Sequence, residues 1–133
     1  MTTTDATRTA VGIEELLHDY FDLLYTQDMG LFDRVFHPAA VLYSAQDGVV
    51  VVRPREEYRA LMQSRQSPQQ NNAPRDDFVL GIDMLSPEMA MAKVRLRLND
   101  NIMVDFLNLL LVEGRWMIVA KLYHRAETVT DPR

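Results

Sequence analysis

The sequence predicts an α+β domain in which helices are segregated from a mostly antiparallel sheet. Three observations lead there. Apolar residues recur with helical spacing from Ile13 to Leu24, an Asp47-Gly48 pair interrupts a Val- and Tyr-rich stretch, and four strand-like segments follow Arg75 in unbroken succession. The predicted order is α-α-β-β-α-β-β-β-β.

The first helix is read from Ile13, Leu16, Leu17, Tyr20, Phe21 and Leu24, an i, i+3, i+4, i+7, i+8, i+11 stripe. His18, Asp19 and Asp22 fall on its wet side. Gly30 breaks the pattern, and Phe32, Val35 and Phe36 form a short second stripe that Pro38 must end, because the residue before proline avoids the helical region. From Val41 to Arg53 two strands flank Asp47-Gly48, the hairpin signal whose two turn positions need positive φ. Pro54 suits a helix start, and Tyr58, Leu61 and Met62 carry a third helix to about Arg65. Gln66 to Pro74 is polar and proline-bearing, with no core-forming residue, and is expected to be a mobile loop beside the site. Strands then span Phe78–Leu85, Met89–Leu98, Ile102–Val112 and Arg115–Arg125. No repeat or second domain is visible, so residues 1–133 read as one domain with a core over about 10–126 and flexible tails.

With 133 residues, 47% hydrophobic and 25% charged, the chain is long enough to enclose a core and a pocket. A net charge of -5 argues against binding nucleic acid or an anionic membrane surface. The absence of Cys excludes disulfides, thiolate metal sites and a Cys nucleophile. No stretch has the length and apolarity of a signal peptide or membrane span, so a cytoplasmic protein is expected.

Turn lengths give the strand register. A two-residue turn at Glu113-Gly114 pairs Leu111 with Trp116, Leu109 with Ile118, Leu107 with Ala120, Asp105 with Leu122 and Met103 with His124. A two-residue turn at Asp100-Asn101 adds Leu98, Leu96 and Val94 to that same apolar face. The opposite face carries Val104, Phe106, Leu110, Met117, Val119 and Tyr123, with Lys93, Arg95, Arg97 and Lys121 beside them. Three helices are too few to cover both faces, so a homodimer through the outer face is expected.

A set of segments stands out: Tyr20, Phe36-His37-Pro38 with Ala40-Val41-Leu42, Arg55-Glu56-Glu57-Tyr58, Asp105 to Leu110, and Gly114 to Lys121. In these pieces the chain resembles the nuclear transport factor 2-like superfamily, in particular its SnoaL-like or lumazine-binding branch. The chain departs from the usual pattern in having Ala39 where an aspartate commonly follows His-Pro. The resemblance implies a cone: three helices on a curved, mostly antiparallel sheet enclosing a pocket. It leaves the activity open, since this scaffold serves isomerases, dehydratases, cyclases and binding proteins.

Asp105 is the leading candidate for chemistry, because the register puts a carboxylate on an apolar inner face, where it must be paired, hydrogen-bonded or protonated. In the steroid isomerases of this superfamily an acid on a corresponding strand stabilises an enolate, which is an analogy for Asp105. A purely structural carboxylate bonded to a tyrosine is the alternative. His124, diagonal to Asp105 in this register, would complete a general-base pair, or else be solvated at the strand end. Tyr20, Tyr43 and Trp116, with Met103 and Leu107, are expected to line a ligand pocket or to serve as plain core. Three His without ligand spacing offer no metal site, and the nucleotide-binding and hydrolase motifs are absent, so no cofactor is expected. The expected function is binding of a small hydrophobic or planar ligand, as a cofactor-free isomerase, lyase or cyclase using Asp105. The alternatives are a non-catalytic binding protein and a dimeric interaction module with a filled cavity.

Overall fold

The structure, a computed structural model, describes residues 3–129, with side chains from residue 12 onward. Helix α1 (Thr3–Thr26) begins ten residues before the apolar stripe, inside the segment expected to be a tail, and residues 1–2 and 130–133 lie outside the described part. Ile13, Leu16, Leu17, Tyr20, Phe21 and Leu24 are all buried, as their spacing requires. Gln27 ends the helix with φ 61°, its amide donating back to the Leu23 carbonyl. Asp28 then caps α2 (Met29–Val35), its carboxylate accepting from the amides of Gly30 and Leu31.

Phe36 leaves the helix one residue earlier than its stripe suggests and opens β1 (Phe36–Gln46). Pro38 is tolerated in this strand because the β1 register is irregular between Phe36 and Val41. His37 accepts the Ala39 amide on Nδ1 in that irregular stretch. Asp47 and Gly48, with φ of 51° and 78°, form the positive-φ turn into β2 (Val49–Pro54). Helix α3 (Arg55–Gln63) follows directly and buries Tyr58 and Met62.

Strands β3 (Asp77–Ser86), β4 (Met89–Leu98), β5 (Asn101–Val112) and β6 (Arg115–Thr128) complete one six-stranded sheet of order β2-β1-β6-β5-β4-β3. Every neighbouring pair is antiparallel except β1 and β6, which run parallel. The three helices pack on the inner face of this curved sheet and bury Phe32, Phe36, Leu42, Val94, Leu107, Leu109 and Ile118 with the α1 stripe. This is the α+β cone.

The β4–β5 turn lies at Asn99-Asp100, not at Asp100-Asn101, so Leu96 faces Met103 and Val94 faces Asp105. A slip of two residues preserves which side chains point inward. The β5–β6 hairpin differs more. It turns at Glu113-Gly114 and pairs Leu111 with Trp116 and Leu109 with Ile118, and then Asn108 faces Ala120, leaving Val119 as an extra residue. This bulge moves the side chains from Ala120 to Arg125 to the opposite face, until a second irregularity after Arg125 restores the alternation. Lys121 and Tyr123, expected outside, therefore turn inward opposite Leu107 and Asp105, while Leu122 and His124 turn outward opposite Phe106 and Val104.

The Gln66–Pro74 segment is more tightly held than its composition suggests. Ser67, Pro68 and Ala73 are buried, Gln69 donates its amide to the Tyr25 carbonyl, and the Tyr25 hydroxyl donates to the Ala73 carbonyl. Asn71 bonds Asn99 in the β4–β5 turn. Polar residues fold here by bonding to backbone rather than by burying apolar area.

Candidate functional site

The cone encloses a cavity of about 580 Å³ between α3, the β1–β2 hairpin and the inner faces of β4, β5 and β6. Its walls include Leu24, Leu42, Leu96 and Met103, and its polar residues include Asp105, Lys121 and Tyr58. Neighbouring strands bring these groups together in cross-strand rows. One row runs Arg53, Leu42, Lys121, Leu107 and Ala92 from β2 to β4, and in the adjacent row Tyr123 faces Asp105, which faces Val94.

Asp105 is 1% exposed, and its carboxylate is divided in function. Oδ2 accepts the Tyr20 hydroxyl at 2.6 Å and lies 3.8 Å from Lys121 Nζ. Oδ1 is buried and has no hydrogen-bond partner among the described residues. Lys121, 5% exposed, also donates to the Tyr58 hydroxyl at 3.4 Å and sits over the rings of Tyr58, Tyr20 and Tyr123 at 5.1, 5.2 and 5.9 Å. Burial opposes the ammonium charge, but the Tyr58 hydroxyl and the Asp105 carboxylate outweigh it, and Lys121 is held above the usual lysine value. Burial first, then the Asp105 carboxylate, raises the Tyr20 hydroxyl well above the usual tyrosine value. The cluster is a buried lysine–carboxylate contact flanked by two phenols.

The remaining candidates divide. Met103 lines the cavity beside Asp105, and Leu107 is fully buried in the core without reaching the cavity. Tyr20 is likewise fully buried and meets the site through its hydroxyl. Tyr43 is not a pocket wall: its row continues through Leu122 and Phe106 on the outer face. Trp116 lines a separate groove with Gly12, Glu15 and His18, because it precedes the bulge at the far end of β6. His124 borders the cavity, but it pairs with Val104 on the face opposite Asp105, so the expected Asp–His pair does not form. Lys121, Tyr58 and Tyr123 are the residues that sequence reasoning did not assign to the site. The signal for Lys121 was its place at the end of the Gly114–Lys121 motif.

Among the described residues no group of three or more His, Cys, Asp or Glu side chains is placed to hold a metal ion. Among the described residues no helix is long and apolar enough to cross a membrane.

A six-stranded, mostly antiparallel curved sheet with three helices on one face and a cavity between them defines a nuclear transport factor 2-like protein. Within that class, the chain belongs to the family described as Putative lumazine-binding, which it matches over residues 8–124. It is similar in structure to an NTF2-like protein of unknown function from Shewanella baltica, with a TM-score of 0.80 and 22% identity over 96% of this chain and 99% of that one. A second such protein, from Silicibacter pomeroyi, gives 0.73 and 22% over 94% and 99%. A ketosteroid isomerase-like protein from Erwinia carotovora atroseptica gives 0.68 and 11% over 88% and 95%. At these identities the likeness is one of fold. No curated protein matches the sequence.

Proposed function

We propose that this chain binds a small planar or hydrophobic molecule in the cone cavity and anchors its polar end on Asp105, Lys121 and Tyr58. The observation that carries this reading is Asp105, a residue lining a cavity of about 580 Å³ whose Oδ1 is buried and unpartnered among the described residues. A buried carboxylate oxygen without a donor is costly, and a ligand N–H or O–H removes that cost. The apolar walls at Leu24, Leu42, Leu96 and Met103 suit a ring system, in keeping with the lumazine of the family description.

Lumazine itself is the first probe, followed through its own fluorescence. Saturable binding is expected for the native protein, with weakening on Met103→Trp, which puts an indole into the cavity beside Asp105. Asp105→Asn should weaken it roughly tenfold to a hundredfold, the worth of a hydrogen bond to a charged group. Equal binding by native protein and Met103→Trp would place the ligand elsewhere and refute the proposal.

A second reading is proton transfer by Asp105 in a cofactor-free isomerisation, elimination or cyclisation. It is favoured by the same free oxygen, which is a proton acceptor held in place by the Tyr20 hydroxyl on its other oxygen. Turnover abolished in Asp105→Asn under saturating ligand, beyond what its weaker binding accounts for, distinguishes a catalyst from a carrier.

The chain is also proposed to act as a homodimer. On the outer face Val52, Tyr43, Leu122 and Phe106 form one cross-strand row over four adjacent strands, and all four are exposed. Lys93 closes the row over the Phe106 ring. Such a row on a sheet face without helices is best covered by the same row of a second copy about a two-fold axis.

A further inference from the structure

We infer that the ligand of the cone is an anion and that its charge faces the mouth of the cavity. This rests on the small-molecule reading above and adds the ligand's charge and orientation. Among the described residues that line the cavity, Arg53, Arg65, Lys121 and Arg125 are cationic and Asp105 alone is acidic, in a chain whose net charge is -5. A cationic cavity in an acidic protein is not what composition alone would produce.

Two of these charges are already matched inside the protein. Lys121 pairs with Asp105 at 3.8 Å, and Arg53 pairs with Glu57 at 3.2 Å. Arg65 and Arg125 form no ion pair among the described residues. They come from different elements, Arg65 from just beyond α3 and Arg125 from the end of β6, and border one cavity. Both are exposed, so they belong to the mouth, whereas Asp105 and Lys121 are buried at the base. Arg65 also lines the smaller adjoining cavity of about 250 Å³, beside Gln66.

The two ends of the cavity therefore ask for different chemistry. At the base, the Asp105 carboxylate repels a second anion and offers an unfilled acceptor to a donor. At the mouth, two guanidinium groups present planar donor forks suited to carboxylate, phosphate or sulfonate oxygens. A concave site with an excess of one sign of charge also raises the local concentration of the opposite ion. The ligand class that satisfies both ends has an apolar ring body, an N–H or O–H at its inner end and an anionic group at its outer end.

The test compares two probes with the same rings, 1-anilinonaphthalene-8-sulfonate and the neutral N-phenyl-1-naphthylamine, on the full chain at low salt. The sulfonate should bind about tenfold more tightly, the combined worth of two solvent-accessible charge contacts. That ratio should fall as salt shortens the screening length, collapse toward one in Arg65→Gln/Arg125→Gln, and persist in Arg65→Lys/Arg125→Lys. A ratio near one in the native protein, or a ratio unchanged in the double Gln variant, would overturn the anionic assignment and leave the cavity reading standing. Unchanged binding of both probes to Met103→Trp would instead overturn the cavity reading, and this inference with it.

Discussion

Replacing Lys121 by Met tests whether the ion pair at the base of the cone holds the fold together or merely occupies it. Nζ lies 3.8 Å from Asp105 Oδ2, and the two side chains are 6% and 2% exposed. At that separation the attraction is about 4 kcal/mol for an effective dielectric near 20. Removing one member of a buried pair typically costs about 3–5 kcal/mol, because the other charge stays behind unpaired. Asp105 borders the cavity and keeps its bond from Tyr20, so solvent entering the cavity would relieve part of that cost. The expected loss is therefore near the lower end, about 3 kcal/mol. For a chain of 133 residues this corresponds to a fall in Tm of about 10 °C. Urea unfolding followed by circular dichroism measures it. The double variant Asp105→Asn/Lys121→Met, which leaves neither charge, should recover much of the loss and give a coupling energy of about 2 kcal/mol in the cycle. A single variant within about 1 kcal/mol of the native protein, or additive effects in the cycle, would refute the claim that these two charges depend on each other.

Lys121 and Tyr20 both have folded-state values raised above their unfolded ones, so the stability they contribute is complete below the ordinary values of about 10 and is lost as pH rises through the folded ones. Urea midpoints should stay level through neutral pH and drop steeply above about pH 10, less so in Lys121→Met, and an unchanged alkaline slope in that variant would contradict the assignment. Light scattering at low micromolar concentration should give the mass of two chains, falling to one with Phe106→Glu/Leu122→Glu; a native mass of one chain would sink the dimer.

Where the sequence is legible, single residues with steep backbone preferences make it so. Asp47-Gly48 and Glu113-Gly114 mark their hairpins because few other residue pairs accept positive φ at both turn positions, and all four adopt it. The α1 stripe is equally plain, since each of its six residues is buried. The inward direction of Asp105 survives a misplaced β4–β5 turn only because the slip is even, two residues instead of one. The other half of the site is hidden by the bulge at Val119. Val119 and Ala120 carry no Gly or Pro to announce an extra residue, and strict alternation through Ile118, Ala120, Leu122 and His124 looks just as regular without one. That single residue exchanges Lys121 and Tyr123 for Leu122 and His124, so simple alternation puts the lysine partner of Asp105 on the wrong face. The anchoring of the loop from Gln66 is hidden for a different reason: its bonds to Tyr25 and Asn99 are tertiary, and composition carries no record of them.

The parallel pairing of β1 with β6 bears on how the cavity comes into being. Leu42 meets Lys121, and Phe36 meets Ile118, across about 80 residues of intervening chain, while Tyr20 and Tyr58 on the amino-terminal side meet Asp105 and Lys121 on the other. Neither half holds a complete base for the cone. The amino-terminal segment up to α3 has two phenols without the ion pair, and the β3–β6 meander has the ion pair without the hydroxyls that satisfy it. Docking of the β3–β6 meander through β6 onto β1 thus closes the sheet and brings the Asp105–Lys121 pair to the two phenols in a single event, at the entropic cost of a very long loop. Binding competence should consequently appear in step with global folding, on the slow timescale of non-local sheets, with no ligand-ready intermediate before β6 is in place.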